Sequence, residues 1–531
     1  MSGPRPEDAI RAARRPFTGA EYLASLQDGR EVYAYGERVD DVTMHPGFRN
    51  SARSMARLYD ALHDPALQPI LTCPTDSGSG SYTQRFFRAA RSREELLGQR
   101  DAIAAWARLS YGWIGRTPDY KAALLNTLGA HAEFYGPYAA NARAWYRRAQ
   151  DHVLFVNHAI VNPPIDRHKQ AEEVKDVFIT VQKETDAGLR VSGAKVVATA
   201  SAISHYSFVG QYAAMPVNDP ALAVVFFAPI NAPGVKLFCR PSYELAAATV
   251  GTPFDYPLSS RFDENDAIVV FDDVLIPWED VLIYGDLEKL RSYYPRTGYQ
   301  LQGCTRLAVK LDFLVGLIAK ALRATGADAF RGNEVLLGEA VAWRNLFWGL
   351  TDAMALNPVE EAGGTVLANA ESAASYRVFS GDAYRRIKEI VEKIVASALI
   401  YLPSSAKDFG NPAIDPYLAR FIRGSNGIGH KERIQTMKLL WDAIGSEFGG
   451  RHELYEINYA GSHEDNRIQT LWAARRSGDL DKMTAFAEAC MADYERTAGS
   501  GVRGFNRVDC ARRRQEGPCR RCTRRTGASG A

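Results

Sequence analysis

Apolar positions recur three and four residues apart through most of the first 150 residues, most clearly over 51–62 and 92–110, which predicts a largely helical segment. Two stretches interrupt it. Arg30-Glu-Val-Tyr-Ala-Tyr-Gly-Glu-Arg-Val39 reads as a small hairpin, and Asp76-Ser-Gly-Ser-Gly-Ser-Tyr-Thr83 as a connecting loop. From about 151 the character changes: 176–182, 188–199, 222–229, 235–239 and 267–277 are β-rich, with a turn at Asp186-Ala-Gly188, and β character persists to about Tyr284. Strands without regular helices between them predict an antiparallel barrel or sandwich, not a doubly wound sheet. Helical spacing returns from about 300 to 495, with helices expected over 333–353, 370–397 and 434–444. The stretch 307–322 is apolar on most sides and should be buried in a bundle or a subunit interface. The layout is therefore α+β: a helical segment over 1–150, a β segment over 151–290, a helical segment over 291–497 and a tail over 498–531.

Composition narrows the classes without choosing among them. A chain of 531 residues needs more than one core, and 46% hydrophobic with 24% charged residues is ordinary for a soluble protein. A formal charge of +2 gives no case for nucleic acid. The N-terminus lacks the apolar run of a signal peptide, and no uncharged apolar stretch reaches membrane-spanning length. Seven cysteines in a chain this long make no disulfide framework, so a cytoplasmic, reduced protein is expected. The arginine-rich tail, with few core-forming residues, predicts a disordered basic segment. Its Cys519-Arg-Arg-Cys522, with Cys510 upstream, is half of a zinc-ribbon spacing, and no metal site is expected there.

Three polar clusters could carry chemistry. In Tyr111-Gly-Trp-Ile-Gly-Arg-Thr-Pro-Asp-Tyr-Lys121, Thr117 and Pro118 signal a helix start, with Asp119 favouring the positive end of the helix dipole. Arg116 then sits just outside a helix N-terminus and Tyr120 in its first turn, an arrangement suited to an anionic oxygen. On the residues alone, a loop-pinning arginine and a core tyrosine is the favoured reading. The second cluster, Asn157-His-Ala-Ile-Val-Asn-Pro-Pro-Ile-Asp-Arg167, holds a histidine in an apolar run, where it is usually a satisfied core residue. The third is Gly445-Ser-Glu-Phe-Gly-Gly-Arg-His-Glu-Leu-Tyr-Glu-Ile-Asn-Tyr459, whose paired glycines permit close approach to a ligand or a helix-ending turn. His452-Glu453 lacks the second zincin histidine, and there is no nucleophile elbow, P-loop lysine or dinucleotide fingerprint.

These same runs resemble the oxygenase component of two-component, flavin-dependent phenol monooxygenases, the 4-hydroxyphenylacetate 3-monooxygenase family. The resemblance continues through Lys183-Glu-Thr-Asp-Ala-Gly188, Val191-Ser-Gly-Ala-Lys-Val-Val-Ala-Thr199 and Asp255-Tyr-Pro-Leu-Ser-Ser-Arg-Phe-Asp-Glu-Asn-Asp266. It ends with Tyr401-Leu-Pro-Ser-Ser-Ala406 and the run from Trp441 to Glu456, in family order from about 18 to 495. It implies an acyl-coenzyme-A-dehydrogenase-like fold: helical N-terminal domain, antiparallel β-barrel middle domain and C-terminal helical bundle, commonly a homotetramer. It further implies FAD, reduced by a separate NAD(P)H:flavin reductase and arriving by diffusion, O2 as co-substrate, and hydroxylation ortho to a phenol oxygen through a flavin C4a-hydroperoxide. The absence of a nicotinamide motif fits a reduction performed elsewhere.

The resemblance also implies roles. The positions matching Arg116, Tyr120 and His158 hold the phenol oxygen, with His158 as base or hydrogen-bond partner. His158, Ala159, Ile160, Pro164, Ile165, Asp166 and Arg167 contact the flavin, Thr199 and Ser201 lie against its ring, and Phe448, Gly449, Gly450 and Arg451 close over it. The variable loop Ser204-His-Tyr-Ser-Phe-Val-Gly-Gln-Tyr-Ala-Ala214 and Tyr299 border the substrate; Ala213 and Ala214 lack a hydroxyl that some relatives offer a substrate carboxylate. A larger phenol then fits, including a chloro-β-tyrosine carried as a thioester on a peptidyl carrier protein, as in enediyne antibiotic pathways. Free 4-hydroxyphenylacetate or a similar small phenol is the alternative. A flavin-dependent acyl-thioester dehydratase or dehydrogenase is the competing class, and a non-catalytic scaffold a third.

Overall fold

The computed structural model describes residues 5–211, 217–292 and 298–499. Residues up to Arg467 form one compact unit; from Ile468 a second holds the end of the helix His463–Ser477 and the helix Asp479–Gly499. In that second unit Met483, Phe486 and Met491 are exposed. Ala213, Ala214 and the tail from 500 on, with Cys510, Cys519 and Cys522, lie outside the described residues.

Helices Arg49–Ala61 and Arg93–Arg108 realise the two strongest early periodicities. Ser92 starts the second by accepting the Glu95 N–H, with Glu94 and Glu95 in the first turn, where the helix dipole favours negative charge. The hairpin Glu31–Ala34/Glu37–Val39 forms as expected but does not stay with the helices around it. Its first strand pairs in parallel with Val235–Cys239, Glu31 opposite Lys236. No local pattern announces a partner two hundred residues away.

The β segment is two sheets, mostly antiparallel. The six-stranded one runs Glu37–Val39, Glu31–Ala34, Val235–Cys239, Asp266–Pro277, Gly188–Thr199, Thr180–Thr185. The four-stranded one runs Val281–Tyr284, Val224–Pro229, Tyr206–Val209, Val156–Ala159. All six residues of Val224–Pro229 are buried, which is why that strand reads as a continuous apolar run: both its faces are covered. Tyr206–Val209 corrects the expected loop over 204–214. It is a strand with all four residues buried, and it lacked a signal because a strand covered on both faces shows no alternation. It pairs in parallel with Val156–Ala159, setting His158 opposite Phe208.

The C-terminal helices are Gly298–Thr325, Arg331–Leu356, Ala370–Ile400, His430–Ile444 and Glu447–Asn458, with the short Asp415–Phe421 between. The first is buried along most of its length, as its all-round apolar pattern predicts. The paired glycines Gly449 and Gly450 do not end a helix: Gly445 does that, and Ser446 caps the next helix by accepting the Gly449 N–H at 3.1 Å. Among the described residues no helix is long and apolar enough to cross a membrane.

Candidate active site

The helix Pro118–Leu125 carries the first cluster, and all eight of its residues are buried. Consecutive helical residues fan out about 100° apart, so Asp119, Tyr120 and Lys121 point in three directions and none reaches solvent. The sequence contained that signal: three polar residues followed by Ala-Ala-Leu-Leu leave no polar face. The expected cap is corrected. Thr117 has the extended N-cap backbone, yet its hydroxyl donates to the Asp119 carboxylate and accepts no backbone N–H. Burial lifts that carboxyl to about 6. The Arg116 backbone N–H is likewise engaged, donating to Glu264. The attraction for an anion therefore comes from side chains, not from open helix-end N–H groups.

Arg116 is the central cation. Its guanidinium carbon lies 3.8 Å from the Tyr120 ring centroid, 4.2 Å from Tyr459 and 5.4 Å from Tyr455. Such contacts hold a delocalised cation well out of water. Its Nη1 is buried without a hydrogen-bond partner among the described residues, as is the Tyr455 hydroxyl. An orphaned buried donor is costly unless something binds there. Tyr459 donates to Gln302 Oε1 at 2.8 Å, and Gln302 reaches back to Thr117 and Asp119 at 3.4 Å each.

His158 enters from the strand Val156–Ala159, its ring perpendicular to Tyr120 at 5.4 Å and 5.6 Å from Tyr299. Sequence reasoning missed a polar neighbour of His158, Lys121, whose Nζ bonds His158 Nδ1 and donates to the Tyr299 hydroxyl at 3.1 Å. Burial, then the charges of Lys121 and Arg116, push the His158 imidazole well below its ordinary value. Burial, then Arg116, does the same to the Lys121 ammonium. Burial pushes the Tyr120 phenol up against the pull of Arg116, so it remains a donor. The result is one fixed cation, one phenol donor and two nitrogen groups whose charged forms burial disfavours.

The remaining expected residues separate into groups. Pro164, Ile165, Asp166 and Arg167 are exposed, while Ala159 and Ile160 are buried. A lone bridge, Val161 to Val196, brings this loop against the strand Gly188–Thr199. Lys195 pins it from below, donating to Asn162 Oδ1 at 2.6 Å, and burial takes that lysine down to about 7. Thr199 donates to Asp266 at 2.6 Å, and Asp266 also takes two bonds from Arg451, at 2.8 and 3.0 Å, and one from Arg240 at 2.9 Å. Thr199 and Arg451 are thus joined through a carboxylate that sequence reasoning had not singled out as a site residue. Phe448 packs against Trp113 and His452, and Gly449 packs on the Ile444 backbone. Ser201 is buried and its hydroxyl lacks a partner among the described residues.

The sequence matches the family described as 4-hydroxyphenylacetate 3-hydroxylase, N terminal, over 18–283 and its C-terminal counterpart over 290–488. It is 60% identical to the 4-hydroxyphenylacetate 3-monooxygenase oxygenase component of Pseudomonas aeruginosa, over 92% of this chain and 95% of the relative. It is 56% identical, over 91% and 92%, to the (3S)-3-amino-3-(3-chloro-4-hydroxyphenyl)propanoyl-(peptidyl-carrier protein) monooxygenase of Streptomyces globisporus. A crystal structure of a 4-hydroxyphenylacetate 3-monooxygenase oxygenase component with FAD and 4-hydroxyphenylacetate superposes with a TM-score of 0.83 at 31% identity, over 90% of this chain and all of that one. An archaeal 4-hydroxybutyryl-CoA dehydratase, at 20% identity and a TM-score of 0.78, shares the fold alone. The chain belongs to the 4-hydroxyphenylacetate 3-hydroxylase family of monooxygenase oxygenase components.

Proposed function

We propose that this protein uses reduced FAD from a separate NAD(P)H:flavin reductase, together with O2, to hydroxylate a para-substituted phenol ortho to its hydroxyl. The observation that carries the reading is the convergence of Arg116, Tyr120 and His158 on one spot, with a buried Arg116 N–H that has no partner among the described residues. A phenol oxygen is a small acceptor that becomes an anion, which suits that donor and that cation. Reduced FAD, when bound, supplies with O2 the electrophilic oxygen. The chain's own groups do the rest. Arg116 and Tyr120 hold the phenol oxygen, and His158, neutral and basic, takes its proton; electrophilic attack is easier on the phenolate. The aromatic walls exclude water, protecting a reactive oxygen species from wasteful loss.

The chain fits a flavin in two respects. Val161, Ile165 and Val197 are 41, 40 and 58% exposed, an apolar surface that a flat ring would cover. The unpartnered Ser201 hydroxyl lies at the end of the strand that carries Val197 and offers a polar contact to the ring. The 4-hydroxyphenylacetate complex, in which the relative holds FAD, supports the same reading.

The finer reading is a carrier-tethered (chloro-)β-tyrosine, supported by the Streptomyces globisporus relative. Free 4-hydroxyphenylacetate is supported by the Pseudomonas aeruginosa one. One assay separates them: purified protein, reduced FAD and O2, with 4-hydroxyphenylacetate, a free β-tyrosine or a carrier-loaded β-tyrosine. Catechol formed on the loaded carrier alone establishes the tethered reading; turnover of the free acid at equal rate removes it. Failure to form an oxygen-dependent catechol from any phenol would sink the reaction itself. His158→Ala is expected to retain FAD binding and lose hydroxylation by about 100-fold or more; unchanged coupling in that variant removes the histidine's role.

A further inference from the structure

Lys121 has no place in the roles above, yet its side chain is hydrogen-bonded to His158. Its Nζ bonds His158 Nδ1 and donates to Tyr299 Oη at 3.1 Å, and lies 4.2 Å from the Phe208 ring centroid. It is fully buried. Around it stand His158 from one strand, Phe208 from the neighbouring strand, Tyr299 from the helix Gly298–Thr325, and Tyr120 and Arg116 from its own segment. No carboxylate among the described residues pairs with it, and Asp119, next but one along the helix, is turned to Thr117 and Gln302. A lysine so placed is expensive to keep charged, and nature retains such groups where a proton must be taken up.

We propose that Lys121 holds the proton a bound phenol gives up, receiving it through His158. The inference rests on the phenol-site reading of Arg116, Tyr120 and His158. In the resting site the imidazole carries its proton on Nδ1 and donates it to the neutral amine. On binding, the phenol O–H bond breaks and an N–H bond forms at His158 Nε2. The Nδ1 proton crosses to Lys121 Nζ, so the imidazole ends neutral in its other tautomer and the amine becomes an ammonium. No proton leaves the protein. The new cation joins Arg116 beside the phenolate, with Tyr299 and the Phe208 face to receive it. Lys121 thus acts through His158 as a positioning and proton-holding residue. The loss of resting charge and the gain on phenolate binding are the same physics: a charge disfavoured by burial becomes favoured once an anion sits nearby.

The test uses 4-nitrophenol, whose ionisation is visible in its absorbance, and the full-length protein with and without oxidised FAD. Below the phenol's solution pKa the wild type should bind it as the coloured anion. Calorimetry in two buffers of different ionisation enthalpy should then show almost no proton released. In Lys121→Met the pH of half-ionisation of the bound phenol should rise by about 1–2 units. Lys121→Arg restores a cation that cannot accept a proton, so the bound phenol ionises but about one proton now reaches the buffer. Release of that proton by the wild type overturns the inference, a measurement that needs no variant to fold. So does identical ionisation in wild type and Lys121→Met. Failure of the wild type to bind any nitrophenol overturns the phenol-site reading itself, and this inference with it.

Discussion

At the scale of single residues, the site is built on groups whose charge state is set by burial. Arg116 is a cation that burial cannot neutralise, and three tyrosine faces lie around its guanidinium. Arg116→Lys keeps the charge but loses the planar stacking and the fixed direction of the unpartnered N–H. It is expected to lower kcat/KM for the phenol by about 10- to 100-fold, mostly in KM, corresponding to about 1.5–3 kcal/mol of charged hydrogen bond and ring contact. Steady-state kinetics at saturating flavin measures this, and an unchanged KM would remove Arg116 from the phenol site. The proposed phenol site, Arg116, Tyr120 and His158, comes from a family resemblance carried by long runs, and the fold brings the three side chains together. Lys121 stands in the same run, but its pairing with His158 depends on a strand that reaches it only in the folded chain.

At the scale of elements, the loop between helices Arg93–Arg108 and Pro118–Leu125 decides where Arg116 stands. Tyr111 and Gly112 both have left-handed backbones, φ 54° and 76°. A Cβ on Gly112 would lie 2.7 Å from the Lys310 backbone nitrogen, and the Gly112 carbonyl accepts from Arg306 at 3.2 Å. Gly112→Ala therefore meets both backbone strain and a rigid neighbour. It should cost about 2 kcal/mol or more in thermal or denaturant unfolding and displace Arg116, raising KM. A fully stable Gly112→Ala protein with normal KM would show that the close approach is dispensable. The same scale explains the runs that carry the family resemblance. Asp442 accepts the Leu258 and Ser259 N–H groups at 2.7 and 2.9 Å, and Arg451 clamps Asp266. Each run is held by the other although they lie far apart in the chain.

At the scale of the main compact unit, a buried charge cluster ties the helix Gly298–Thr325 to the helix Glu447–Asn458. Arg306 grips Glu456 through two bonds, at 2.5 and 2.7 Å, Lys310 adds a third at 2.9 Å, and Lys310 sits 3.8 Å over the Trp113 ring. Arg306 also lies 4.6 Å from the Tyr459 ring, which shares Arg116 with the site. Burial pushes the Glu456 carboxyl up, but Arg306 and Lys310 outweigh it and hold it down to about 2. Burial takes Lys310 down to about 8 although Glu456 pulls the other way. Because the Glu456 value is depressed from 4.5, the carboxylate contributes stability that is fully present above 4.5 and lost as pH falls towards 2. Glu456→Gln leaves two cations without their anion and should cost about 3–5 kcal/mol at neutral pH. Its melting temperature should also fall less steeply on acidification than that of the wild type; parallel acid slopes would contradict the assignment.

What the sequence determined by itself is what short-range pattern can encode. The helix–strand–helix order follows from periodicity, the buried helix Gly298–Thr325 from its all-round apolar pattern, and Pro118 as a helix start from ring geometry. Tertiary structure decided everything that depends on which polar groups lose their water. It turned Thr117 from a cap into a partner of Asp119, sent Phe448 into the core and made a sheet edge of the hairpin Glu31–Ala34/Glu37–Val39. It also set Lys121 against His158. Charge in a protein is a property of surroundings, and the surroundings of Lys121 come from a strand and a helix that approach only when the chain is folded.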